Sequence, residues 1–235
     1  MDEVAKPDVV LDNAIWFSLT TRHSNIAEGN GRARRYPIGV SPLGAIQDAS
    51  EASLEALASL LRPDEEIVLG SPTEILPVGG LEAFARVTLR QMVRSSPSRP
   101  ITAQHVVPLG AADVADMMAL VEITKPGPFR SRTHELGQYF GIRVDGRLVA
   151  MAGERLRPVG YTEISAVCTH PDYRGRGYGR DLVETLVRNI IDRGEVPILH
   201  VEKDNRAASL YEKVGFSRRQ TIHLVGLRQP NPIFS

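Results

Sequence analysis

The stretch Glu163–Arg180 reads EISAVCTHPDYRGRGYGR. Up to Thr169 it is an apolar run with strand character; beyond His170 it becomes dense in glycine and arginine. From Gly177 to Arg193 the pattern turns helical, with Leu182, Leu186 and Ile190 stepping by four beside Val183, Val187 and Ile191. A strand that runs through a glycine loop into a helix is suited to phosphate. The first amides of a helix have no intrahelical partner and carry partial positive charge. Gly175, Gly177 and Gly179 let a ligand approach the backbone without a Cβ in the way. Arg174, Arg176 and Arg180 add charge for a polyanion.

Three phosphate-binding patterns compete for this loop. A P-loop needs Lys and then Ser or Thr after its last glycine, but Arg180-Asp181 follows here. A dinucleotide fingerprint, Gly-x-Gly-x-x-Gly, fails because position 180 is arginine. The pattern Arg/Gln-x-x-Gly-x-Gly/Ala is met in full by Arg174-Gly-Arg-Gly177-Tyr-Gly179.

Outward from the loop, the second half of the chain reads clearly. Strands are expected at 103–108, 139–144, 147–154, 161–169, 197–201 and 216–227, with Asp145-Gly146 turning a hairpin. Helices are expected at 111–124, 177–193 and 205–214, with a short one near 132–137; Gly194 and Gly215 are placed to stop the second and third. This is a mixed α/β sheet with helices on its faces. The first half is less legible. Helices are expected at 45–61 and 80–94, with one or two short strands at 66–76. Ser95-Ser-Pro-Ser-Arg-Pro100 breaks all periodicity, so the boundary is drawn there. The expected domains are 1–95, a smaller α/β unit, and 101–235.

Composition narrows the function. Acidic and basic residues number 28 each, so no overall field favours nucleic acid or an anionic membrane. No apolar run approaches the roughly 18 residues of a membrane span, and the N-terminus does not read as a secretory signal. Cys168 is the single cysteine, and the 6 histidines show no ligand spacing, so no metal is expected. A cytoplasmic location is expected.

The ordered combination of His170-Pro-Asp-Tyr173, Arg174–Gly179 and the later Leu210-Tyr-Glu-Lys-Val-Gly-Phe216 resembles the GNAT superfamily of acyl-CoA N-acyltransferases, most of all its glycine N-acyltransferase-like branch. The resemblance covers about Ala103 to Leu227. It implies a GNAT-like sheet preceded by a smaller lobe, which the branch allows to be a degenerate copy. It implies transfer of an acetyl or other short acyl group from acetyl-CoA to a small-molecule or peptide amine, directly and within a ternary complex. The CoA pyrophosphate would sit on Gly175, Arg176, Gly177, Tyr178, Gly179 and Arg180, beside Arg174. Pantetheine would lie along Val167, Cys168 and Thr169. Glu163 matches the position of a general-base glutamate in some members, against its plain reading as a solvated strand-end carboxylate. Tyr211 matches a tyrosine that protonates the departing thiolate. Asn205, or Asp204 because the interval to Tyr211 is one residue short, would contact pantetheine. Lys125–Arg130 falls where the family shapes its acceptor pocket. A covalent route through Cys168 is disfavoured, since a lone buried cysteine usually serves as a small hydrophobe. Two rivals stand beside this reading: a non-catalytic acyl-CoA-binding module and a Rossmann-type nucleotide enzyme.

Overall fold

The computed structural model describes residues 7–29, 31–76, 80–95, 105–205 and 207–230. In chain order the elements are α1 (Pro7–Asp12), α2 (Ala14–Thr20), β1 (Ala33–Arg35), β2 (Gly44–Ile46), α3 (Glu51–Ala58), β3 (Glu66–Ser71), β4 (Glu82–Arg94), β5 (Val106–Leu109), α4 (Val114–Thr124), β6 (Tyr139–Val144), β7 (Arg147–Glu154), β8 (Tyr161–Thr169), α5 (Tyr178–Asp192), β9 (Val196–Glu202), α6 (Ala208–Lys213) and β10 (Phe216–Arg228). Among the described residues there are two sheets. One is the small antiparallel pair β1–β2; the other has eight strands in the order β3-β10-β4-β9-β8-β7-β6-β5. All neighbours in the large sheet are antiparallel except β8 and β9, which are parallel. The mixed α/β architecture expected from the sequence is present.

Side-chain alternation assigns the two faces. From β7, Ala150 and Ala152 point toward α5, where Leu182, Val183, Leu186 and Ile190 form a buried stripe. Met151, between them, points to the other face and packs with Met117 and Leu120 of α4 and with Tyr139. Gly153 lies so close to the Tyr139 ring that a Cβ there would sit 2.3 Å from it, so the ring packs flat on the strand only because the position is glycine. A separate apolar cluster joins α3 to β3 and β10 through Leu54, Leu57, Ile67, Leu69, Val225 and Leu227.

Two expectations for the first half fail. Residues 82–94 form the long strand β4 rather than a helix. It pairs with β10 along its length and with β9 from Leu89 to Val93, so the backbone of its second half is laddered on both sides. Its side chains alternate, with Arg86, Thr88 and Arg90 on one face and Ala85, Val87, Leu89 and Gln91 on the other; the helical spacing of the apolar residues masked that period. The helix expected at 45–61 shrinks to α3. Ser50 caps it by accepting from the Ser53 amide, and Gly44–Ile46 is strand instead. β3 and β4, from the expected domain 1–95, lie in the same sheet as every strand of 101–235. Of the expected linker, only Ser95 falls within the described residues.

Candidate active site

The site begins where β8 and β9 part. Their parallel pairing runs from Tyr161↔Val196 to Ile164↔Leu199 and stops. On its other edge β8 stays with β7 but bulges: Met151 faces Cys168 and Gly153 faces Ser165, so two residues of β8 oppose Ala152 alone. Ala166 takes a left-handed backbone, with φ of 53°. From Ser165 to Thr169 the edge turned to β9 therefore has no ladder partner, which leaves main-chain donors and acceptors for a ligand.

The chain then enters the glycine loop. His170 closes the turn: its Nδ1 accepts from the Asp172 amide at 3.3 Å, and Arg147 Nη2 approaches its Nε2 at 2.8 Å. Gly177 caps α5 with φ of 86° and no side-chain cap, and a Cβ there would meet nothing within 4 Å. Glycine is thus needed for the backbone angle, and the space above the helix N-terminus is open. Arg180 pairs with Glu184 at 2.7 Å; Arg176 lies over the Tyr173 ring, 5.0 Å from its centre.

Both features open into one cleft of roughly 970 Å³. Of the expected site residues, Val167, Cys168, Thr169, Arg174, Gly175, Gly177, Tyr178, Gly179, Arg180, Asn205 and Tyr211 line it, and Arg176 does not. Asn205 Oδ1 accepts from the Ala207 amide at 2.9 Å, so it also shapes the turn into α6. Lys125 to Pro128 line the cleft, but Arg130 does not. Tyr211 is mostly buried between α6 and β10, edge-on to Phe216. Burial, with the nearby Cys168 thiol, pushes its phenol up to about 12, so it holds its proton at neutral pH. Burial likewise raises Cys168 to about 11, which makes it a poor nucleophile.

Glu163 does not line the cleft. It is fully buried beneath it, and both its oxygens are engaged. Arg155 donates from Nε to Oε2 at 2.8 Å and from Nη2 to Oε1 at 2.6 Å, and His200 Nδ1 lies 2.8 Å from Oε1. Burial works to raise this carboxyl. The Arg155 charge and hydrogen bonds, joined by His200, overcome it and hold the group well below the ordinary carboxylate range. A carboxylate held this way fixes charge and orientation; it is badly placed to take a proton from an incoming amine.

The chain of contacts continues across the sheet. His200 Nε2 lies 3.0 Å from Gln91 Nε2, so the ring donates from Nδ1 to Glu163 and accepts at Nε2. Gln91 is fully buried; it also donates to the Leu11 carbonyl at 2.9 Å and accepts from Arg219 at 2.8 Å. Arg219 in turn reaches Asp12 at 2.7 Å. Arg155, His200, Gln91 and Asp12 all line the cleft, and sequence reasoning missed all four. The available signal was alternation in β4, which would have placed Gln91 on the face of Val87 and Leu89.

Comparison with known proteins bears on this geometry. The FR47-like protein family model matches residues 139–225, which span the splayed strands, the loop and Tyr211. The N-alpha-acetyltransferase RimI of Mycobacterium tuberculosis is 36% identical over 141 residues, covering 52% of this chain and 82% of that protein. A solved structure described as a GNAT-family acetyltransferase from Novosphingobium aromaticivorans shares 38% identity and superposes with a TM-score of 0.89, covering 94% of this chain and 99% of that one. The chain belongs to the GNAT acetyltransferase family. It is an acyl-CoA-dependent N-acyltransferase, and GNAT acetyltransferases use acetyl-CoA as co-substrate and act on amines. A GNAT structure from Kribbella flavida, 17% identical with a TM-score of 0.64 over 94% of this chain and 97% of that one, repeats the fold. The mycothiol acetyltransferase of Catenulispora acidiphila is 48% identical, but over 65 residues that cover 26% of this chain and 20% of that protein. Among the described residues of this GNAT chain no group of three or more His, Cys, Asp or Glu could hold a metal ion, and no helix is long and apolar enough to cross a membrane.

Proposed function

We propose that the protein transfers an acetyl group from acetyl-CoA directly to a primary amine, with both substrates bound in the one cleft before reaction. The observation that carries this is the continuity of the unpaired strand edge 165–169 with the open N-terminus of α5. The amides of Gly175 to Arg180 hold the pyrophosphate, and Arg174 adds charge beside it. Pantetheine runs along Val167, Cys168 and Thr169 as an added strand. Asn205, whose side chain turns the chain into α6, flanks that arm from the β9 side. Residues 101–235 thus carry the acetyl-CoA half of the cleft, and 1–95 close its acceptor half. The affinity to the glycine N-acyltransferase-like branch rests on the motifs at 170–173, 174–179 and 210–216 alone.

The reaction follows from the groups present. An ammonium ion gives up one proton to water and its nitrogen attacks the thioester carbon; the C–S bond breaks, the nitrogen loses a second proton to water, and the thiolate gains one, for a net release of one proton. Tyr211 supplies that last proton, since its raised pKa keeps it a donor and its hydroxyl makes no hydrogen bond among the described residues. Glu163 acts through His200 as a positioning residue: with Arg155 it locks the ring and so the wall on which the amine docks. Holding two reactants in line can supply about 7–11 kcal/mol, more than a single proton acceptor contributes.

Thiol release from acetyl-CoA, measured over a panel of primary amines, tests the proposal. Initial rates with both substrates varied should give intersecting lines. Parallel lines would mean an acyl-enzyme, and acetyl-CoA binding with no acceptor consumed would mean a binding module; either result contradicts direct transfer.

A further inference from the structure

Away from the glycine loop the cleft has a different character. Its floor is the sheet face formed by Val68 of β3, Val87 and Leu89 of β4, and Ile222 and Leu224 of β10; Ile15 of α2 lies across it. Val87 is 42% exposed although it lies on a floor of apolar neighbours, so this surface is open to a ligand. Among the described residues, six charged ones line the cleft: Asp12, Lys125, Arg155, Arg174, Arg180 and Glu202. Arg174 and Arg180 belong to the glycine loop. Asp12 is paired with Arg219, Lys125 with Glu122 and Arg155 with Glu163. Glu202 is left. Its carboxylate is exposed and makes no ion pair or hydrogen bond among the described residues. It stands on β9 just past the point where β8 departs, opposite Leu89 and on the face of His200.

We infer that the acceptor is a primary amine on an apolar, uncharged body: the body lies on the Val68–Val87–Leu224 floor and the ammonium meets Glu202. This rests on the acetyl-transfer reading and names its substrate class. An unpaired carboxylate bordering an apolar floor attracts a cation and repels an anion. A free amino acid would bring a carboxylate to a wall whose cations outside the glycine loop, among the described residues, are Arg155 and Lys125, already paired with Glu163 and Glu122. A polyamine would need further carboxylates to receive its other charges, and Asp12 is occupied by Arg219. An aliphatic or aromatic amine satisfies both halves, burying methylenes on the floor at about 0.8 kcal/mol each, which is close to fourfold in kcat/KM per carbon.

The test uses the full-length protein with acetyl-CoA and four groups of acceptor: the alkylamines from propyl to hexyl, phenethylamine, spermidine and glycine. The expected result is a rise of about fourfold in kcat/KM per methylene, with spermidine and glycine at least tenfold below hexylamine. Glu202→Gln should raise the KM for hexylamine about tenfold and leave the calorimetric affinity for acetyl-CoA unchanged. Val87→Asp, at an exposed position that should not disturb folding, should flatten the chain-length dependence. A flat alkylamine series, better turnover of spermidine or glycine, no alkylamine turnover despite acetyl-CoA binding, or an unaltered hexylamine KM in Glu202→Gln would each overturn the inference and leave acetyl transfer standing. Failure of the protein to bind acetyl-CoA would instead remove the reading on which it rests.

Discussion

The two ends of the cleft are built on different principles. At the loop end, the proposed recognition is a property of the backbone: a strand edge without a ladder partner, a left-handed Gly177 and the first amides of α5. At the far end it is a property of side chains gathered from α1, α2, β3, β4, β9 and β10, elements as far apart in the chain as α1 and β10, where Asp12 and Gln220 are 208 residues apart. A backbone site needs glycine and helix geometry in one short segment, and tolerates change in the side chains around it. A side-chain site can be rewritten position by position while the sheet beneath it stays. Chemistry common to a family therefore belongs at the first end, and choice of acceptor at the second.

The largest effect expected from disturbing this division comes from the buried polar chain that spans it. Glu163→Gln leaves the Arg155 charge without its partner in a buried place. Removing one member of such a pair costs about 3–5 kcal/mol, so the melting temperature should fall by many degrees, as calorimetry can measure. Lost turnover in step with lost fold, and an unchanged pH–rate profile for what remains folded, would fit a positioning role. A stable variant whose kcat regains activity at high pH would return Glu163 to the role of base.

Next in size is Tyr211→Phe. It should lower kcat about a hundredfold and leave the KM for acetyl-CoA unaltered, because the ring still packs on Phe216 while the proposed proton donor is gone. An equal rise in acetyl-CoA KM would move Tyr211 from chemistry to binding.

The smallest effect concerns how the first lobe is attached. His23 is buried between Ser18 and Tyr36, with Nε2 3.0 Å from the Leu136 carbonyl. Burial lowers its pKa to about 4. The unfolded chain, with histidine near 6.5, therefore binds more protons between these values. Stability is fully present above about 6.5 and falls as pH drops toward 4, by at most about 1.4 kcal/mol per pH unit from this group. Denaturant titrations at several pH values should show that slope, and His23→Gln should flatten it.

How much of this was legible in the sequence follows the same division. The loop end could be read because its signals are local: glycines at 175, 177 and 179, a long amphipathic helix, and Tyr211 at a fixed distance. β8 falls at Tyr161–Thr169 as expected, and α5 begins one residue after Gly177. The far end could not be read. Gln91, His200 and Glu202 meet only because β4 pairs with β9, and Asp12 joins them only because α1 packs across that face. In β4 the apolar residues fit a helical spacing as well as an alternating one, and only neighbours on both sides decide between the two. Glu163 shows a subtler limit. Its position on the strand was read correctly, but Arg155 and His200, which decide whether it can accept a proton, come from other parts of the chain.

The central claim is that main-chain amides of a left-handed glycine loop hold CoA and so aim its thioester at the strand opening. Calorimetric titration of acetyl-CoA into the wild-type protein and into Gly177→Val tests it most directly, since a β-branched residue at that backbone angle is strained by roughly 1–3 kcal/mol while filling no occupied space. The account predicts saturable one-to-one binding that weakens at least fivefold in the variant. No binding to the wild-type protein, or equal binding to both, would contradict it.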